Sequence, residues 1–227
     1  MANKIESEPC AGGIRITRLV STDRDIVIPE SIDDSAVVAI GPFFLSGSPA
    51  SDGRTVTVPG TVAEIDRDAF GGIIGIREIA YGGTMEDFCS LGLDAEFDVE
   101  VSTADGHRFG FLSGYPMRFP AFDEAIQAMN FKMTQELAVS RLRDPVLLTP
   151  ECGERYRRYL SSRIMPRAEQ AVTSGDTARL AELLSTGMFD DASVRTLMER
   201  SLRSGKTAVT SMLMSELYSR RNGEKGA

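Results

Sequence analysis

The sequence predicts an α+β chain, with a short parallel β-solenoid in its first half and an α-helical repeat domain in its second. Three observations predict it. The stretch Thr55 to Thr84 carries a spaced apolar series, Val56, Val58, Val62, Ile65, Ala69, Phe70, Ile76, Ile79 and Tyr81. Pro59-Gly60 and Gly71-Gly72 interrupt it where the backbone must turn. Short apolar–x–apolar segments recur on both sides of that stretch. From Phe122 on, the apolar period changes from two to about 3.6, the helical value.

Taken in order, residues 1–13 read as a loose arm, and Ile14, Ile16 and Leu19 as a strand covering the solenoid's open end. The repeats run from about Asp25 to Leu93. Four segments align: Ile26-Val27-Ile28, Val56-Thr57-Val58, Ile79-Ala80-Tyr81 and Val99-Glu100-Val101. In each the outer two residues point inward and the middle one outward. The steps between their starts are 30, 23 and 20 residues. Repeats of about 20–29 residues with one strand each have the period of leucine-rich repeats. The turn-rich insertion Ser46 to Gly53 accounts for the long first step. A second match aligns Val38-x-Ile40-Gly41-x-x-Phe44 with Val62-x-x-Ile65-x-x-x-Ala69-Phe70. Asp98 to Phe111 reads as a terminal hairpin turning at Ala104-Asp105-Gly106. Breakers at Ser113-Gly114-Tyr115-Pro116 and Phe119-Pro120 place a boundary near 111–121, giving domains 1–112 and 113–227.

The segments IVIPESI…VVAIGPFF, TVTVPGTVAEIDRDAFGGI and IREIAYGGTMEDF resemble the bacterial BspA-like leucine-rich repeats. That family's core is V-x-IP-x-x-V-x-x-I-x-x-x-AF, often closed by I-x-Y-x-GT-x-x-aromatic. The match spans about residues 14–106 and departs at Pro42-Phe43-Phe44, where Ala-Phe is usual. The resemblance implies a curved parallel-strand solenoid used for protein contacts, frequently at cell surfaces, with no catalytic residues.

In the helical half, Ile126, Met129, Met133 and Leu137 are spaced for one helix face ending before Asp144-Pro145. Thr149-Pro150-Glu151 predicts a helix start, with Thr as cap, Pro in the first turn and an acid near the positive dipole end. That helix is expected to carry Tyr156, Tyr159, Leu160 and Ile164 and to stop near Met165-Pro166. Ser174-Gly175-Asp176-Thr177-Ala178 recurs 30 residues later as Ser204-Gly205-Lys206-Thr207-Ala208, and Leu183 and Ser185 recur as Leu213 and Ser215. Gly187 suits a left-handed helix end. Residues 166–221 thus resemble a degenerate ankyrin-like pair, lacking the T-P-L-H opening and stepping three residues short of 33. The fold class is then a short leucine-rich-repeat β-solenoid followed by an ankyrin-like helical domain.

Charge narrows the partners. The net charge of −8 divides into −11 over residues 1–110 and +3 over residues 111–227. An acidic first half argues against nucleic acid, because neutralising phosphates needs Lys and Arg. Cys10, Cys89 and Cys152 are odd in number and widely spaced, which indicates neither a zinc site nor a disulfide framework. No apolar leader opens the chain and no run reaches the roughly 18 residues of a membrane span. As written this predicts a cytoplasmic protein, or a cell-surface one from which a leader was removed.

Candidate chemistry is sparse. His107, the only histidine, follows a turn and could pair with Cys89 or Cys152. Asp66/Asp68, Glu86/Asp87 and Asp190/Asp191 could act as acid–base pairs or bind a metal, but each adjoins a turn or helix start where acids are expected. Gly71-Gly72, Gly82-Gly83 and Ser174-Gly175 match no phosphate-loop pattern. Arg141, Arg143, Arg155, Arg157, Arg158, Arg163 and Arg167 form a basic run spread round more than one helix face. The expectation is a non-enzymatic protein–protein interaction module without cofactors or metal. The alternative is a small ligand-binding protein or enzyme with a site between the two domains. The candidate contact face is the outward row Val27, Thr57, Ala80 and Glu100, flanked by Thr55, Glu78 and Asp98.

Overall fold

The computed structural model of the chain describes residues 4–49, 52–72, 75–128 and 133–223. It forms two compact units, Met1–Ala128 and Met129–Ala227. The first is built from strands β1 (Lys4–Cys10), β2 (Gly13–Val20), β3 (Asp25–Val27), β4 (Ser31–Ile32), β5 (Ser35–Ile40), β6 (Arg54–Val58), β7 (Glu64–Ile65), β8 (Ile76–Tyr81), β9 (Val99–Thr103) and β10 (Arg108–Phe111), with helices α1 (Met85–Ser90) and α2 (Ala121–Ala128). The second contains α3 (Gln135–Arg143), α4 (Pro150–Leu160), α5 (Ile164–Ser174), α6 (Thr177–Leu184), α7 (Asp191–Arg203) and α8 (Thr207–Gly223). The fold is α+β with a solenoid-like arrangement of strands.

Two ladders make the solenoid. In one, β3, β6, β8 and β9 are parallel, and β10 folds back antiparallel on β9. In the other, β2, β5 and β7 are parallel, with β4 antiparallel on β5. Ile26, Val56, Ile79 and Val101 occupy one continuous rung of the first ladder, all turned inward and buried. Burying each contributes on the order of 1.5–3 kcal/mol. Val62, Ile65, Ala69 and Phe70 face them from the following stretch of chain, and Phe44 meets Phe70 edge-on at 5.6 Å between ring centroids. Successive turns come so close at Gly60 and Gly82 that a Cβ on Gly82 would lie 2.6 Å from the Gly60 amide nitrogen. Only glycine fits that approach.

Residues 4–10 are not a loose arm: they form β1, a hairpin partner of β2. Their side chains are mostly exposed, so backbone pairing rather than burial holds them, and no apolar pattern announces it. Residues 1–3 of that arm lie outside the described residues, as do Ala50 and Ser51 of the insertion. The join also lies further on than 112/113. Phe119 and Phe122 pack against Phe109 and Phe111 at centroid distances of 5.1–5.4 Å, which keeps the chain through Ala128 with the first unit.

In the second unit the expected helix through Met133 and Leu137 begins only after Met133. Thr134 is extended and its hydroxyl accepts the Leu137 amide, so it caps α3. Ile126 belongs to α2 and Met129 lies outside the described residues. Thr149 caps α4 with Pro150 in its first turn, as the sequence predicts. Met165-Pro166, however, opens α5 rather than ending α4, because a proline in the first turn gives up no helical hydrogen bond. Two chain reversals are the same structure 30 residues apart. Gly175 and Gly205 are left-handed, and the amides of Asp176 and Lys206 donate to the carbonyls of Ala171 and Ser201 at 2.9 and 3.0 Å. α5 packs on α6 and α7 on α8; across these pairs α5 packs on α7, α6 on α8, and α3 covers α6.

Candidate functional site

The first ladder's outward face is built by strand alternation: the residues between the buried rungs point away from the core. Two outward rungs result. One joins Asp25, Thr55, Glu78 and Glu100; the other joins Val27, Thr57, Ala80 and Ser102. Sequence reasoning placed Glu100 beside Ala80 and Asp98 beside Glu78, a slip of two residues. Asp98 precedes β9, and its carboxylate accepts the Ser113 amide at 2.8 Å. Two residues is the one small slip that leaves every side chain on its expected face, so alternation alone does not detect it. The register adopted puts Val101, fully buried, against Ile79 and makes the step from Ile79 22 residues, close to the preceding 23.

Charge on this face is internally matched. Glu78 lies between strands, its side chain 13% exposed; the Ser102 hydroxyl donates to it at 2.9 Å. Arg108, from β10, reaches Glu78 at 3.4 Å and donates to Glu100. Glu78 and Glu100 are therefore bound to one guanidinium rather than poised as an acid–base pair. The second rung is uncharged, small at Thr57, Ala80 and Ser102, and apolar at its edge, where Val27 is 58% exposed. Ser102 and Arg108 were missed from sequence. Counting outward from the Ala104-Asp105-Gly106 turn would have found them, since a hairpin pairs Ser102 with Arg108.

The other candidates are absorbed by structure. His107 lies in the β9–β10 turn with Nε2 3.9 Å from Asp105. Cys89 is buried in α1, and Cys152 is buried in α4 of the other unit. Asp66 accepts the Asp68 amide at 3.0 Å and shapes a turn. Asp87 completes a capping box with Thr84, whose hydrogen bonds hold its carboxyl below the ordinary range. Asp190 caps α7, and hydrogen bonds from Ser193 lower its pKa. Among the described residues no group of three or more His, Cys, Asp or Glu could hold a metal ion. In the arginine run, Arg141 is buried and donates to the carbonyls of Asp144 and Val146, and Arg143 pairs with Glu182 at 3.3 Å. Arg155 and Arg157 pair with Glu151 and Glu154 along α4. Arg163 lies over the Tyr159 ring, and Arg167 pairs with Glu136, lowering its pKa. Six of the seven thus make local pairings, while Arg158 is exposed on α4, so the run is not one basic stripe.

No helix among the described residues is long and apolar enough to cross a membrane. No family model, curated protein or solved structure matches this chain.

Proposed function

We propose that the chain is a non-enzymatic protein–protein interaction module, a BspA-like leucine-rich-repeat solenoid followed by a degenerate ankyrin-like helical pair. What carries this reading is the outward face of the first ladder. Val27, Thr57, Ala80 and Ser102 form a shallow, uncharged row bordered by the Glu78–Arg108–Glu100 network. A flat surface with small residues suits another protein's surface, whereas small molecules are bound in concave sites. Interfaces bury about 800 Å² per partner and concentrate energy in aromatic or arginine anchors. The row supplies no aromatic side chain, so the partner supplies the anchors. The repeat register of β3, β6 and β8 and the paired turns at Gly175 and Gly205 support the two family resemblances.

The test is the double variant Thr57→Arg/Ala80→Arg in affinity capture from source cells. Both positions are outward, so the fold and melting temperature should be kept while captured partners of this face disappear. Undiminished capture would remove the face from the reading.

A further inference from the structure

The last helical pair presents an apolar groove that the repeat pattern explains. Leu202, Met214 and Tyr218 are 62%, 59% and 69% exposed, unusual for large apolar side chains on one helical pair. Met214 and Tyr218, with Met198 and Leu217, line an open groove of about 700 Å³, and Leu202 follows Met198 one turn further along α7. Spacing makes each helix contribute one stripe: Arg195, Met198 and Leu202 on α7, and Met214, Tyr218 and Arg221 on α8. Thirty residues earlier the positions matching Met198, Leu202, Met214 and Tyr218 are Ala168, Val172, Leu184 and Met188; the first three are buried and Met188 is half-buried. There a following pair is present, since α7 packs on α5 and α8 on α6. The groove is thus the face on which a further helix would stack.

Charge selects the occupant. Arg195 and Arg221 line the groove at the end remote from the Gly205 turn, and neither forms an ion pair among the described residues. Among the described residues no carboxylate lines the groove. A second copy joined face to face, in either orientation, would bring no carboxylate from its described groove residues to meet these arginines. A copy stacked head to tail would have to displace α3, which covers α6. We infer that the α7–α8 groove binds an amphipathic helix of a partner protein, with an apolar stripe along the groove and carboxylates at the end meeting Arg195 and Arg221. This deepens the interaction-module reading but uses a surface in the other unit, so the sheet-face variant and the variants below fail independently.

The test uses the full chain with two synthetic 18-residue helical peptides sharing one leucine stripe, one ending in a Glu cluster and the other in a Lys cluster. Fluorescence anisotropy measures binding, and methyl spectra of methionine-labelled protein locate it. The Glu peptide should bind at least about tenfold tighter than the Lys peptide. It should shift Met198 and Met214 while leaving the buried Met85 and Met117 unmoved. Arg195→Glu/Arg221→Glu should reverse the preference, and Met214→Ser/Tyr218→Ser should weaken both peptides. These side chains are exposed, so an unchanged melting temperature verifies folding of each variant. Equal binding of the two peptides, no binding of either, or shifts away from Met198 and Met214 would overturn the inference. So would concentration-dependent dimerisation abolished by Met214→Ser/Tyr218→Ser, which would assign the groove to a second copy.

Discussion

Phe70 and Phe44 show how single residues hold successive solenoid turns in register. Both are buried and meet edge to face, although Phe44 stands in the Pro42-Phe43-Phe44 segment that departs from the repeat pattern. Phe70→Ala should therefore cost roughly 3–5 kcal/mol in chemical denaturation, since it empties a buried aromatic site. An unchanged midpoint would mean that Phe70 holds nothing together. Arg54 makes the opposite case. It opens β6 on the inward face, 1% exposed, and among the described residues its side chain makes a single long hydrogen bond, from Nη2 to the Ser21 carbonyl at 3.4 Å. Its Nε has no partner among the described residues. A buried guanidinium so poorly matched costs more in desolvation than it returns. Arg54→Met, similar in length and apolar, should raise the denaturation midpoint by the equivalent of about 1 kcal/mol or more. A loss of stability would show that the charge is compensated.

Among the elements, α1 is only six residues long and depends on its cap. Thr84 and Asp87 satisfy each other's backbone amides, and Asp105, from the following hairpin, accepts the Met85 amide at 3.1 Å and the Thr103 hydroxyl at 2.5 Å. Desolvation pushes the Asp105 carboxyl up, but these hydrogen bonds and the neighbouring His107 outweigh it and leave its pKa below the ordinary carboxylate value. A carboxyl whose pKa is lowered by folding stabilises the fold above its unfolded pKa, and that stability is lost as pH falls through the folded one. Unit 1 should thus lose stability as pH drops below about 4. In Asp105→Asn the same titration, followed by circular dichroism, should show a shallower loss. Identical acid slopes would remove Asp105 from the account.

For the whole molecule, the division of the chain is testable with fragments. A fragment ending at residue 112 strips Phe119 and Phe122 from the cluster around Phe109 and Phe111, whereas one ending at Ala128 keeps it. The 1–128 fragment should melt cooperatively, and the 1–112 fragment should melt lower or not cooperatively at all. Equal melting would restore the earlier boundary. The segment between is tied down by backbone pairs, Ala95 to Tyr115 and Met117 to Leu93, so proteases should not cut first between Ser113 and Pro120.

What the sequence determined by itself is everything set within a few residues. Alternation assigned the inward and outward faces of Ile26, Val56 and Ile79. Thr149-Pro150 marked a helix start, and the 30-residue echo of Ser-Gly-x-Thr-Ala marked two equivalent turns. Those signals are local, because side-chain period, capping and left-handed glycine act on the chain where they stand. Tertiary structure alone decided the register of β9, where a two-residue slip preserves alternation and only packing of Val101 against Ile79 distinguishes the choices. It decided β1, whose exposed side chains carry no pattern and whose hold on β2 is backbone pairing. It also decided the allegiance of Phe119 and Phe122, which lie beyond a cluster of chain breakers. Breakers mark where a backbone turns, but which core a side chain then enters depends on residues distant in the chain.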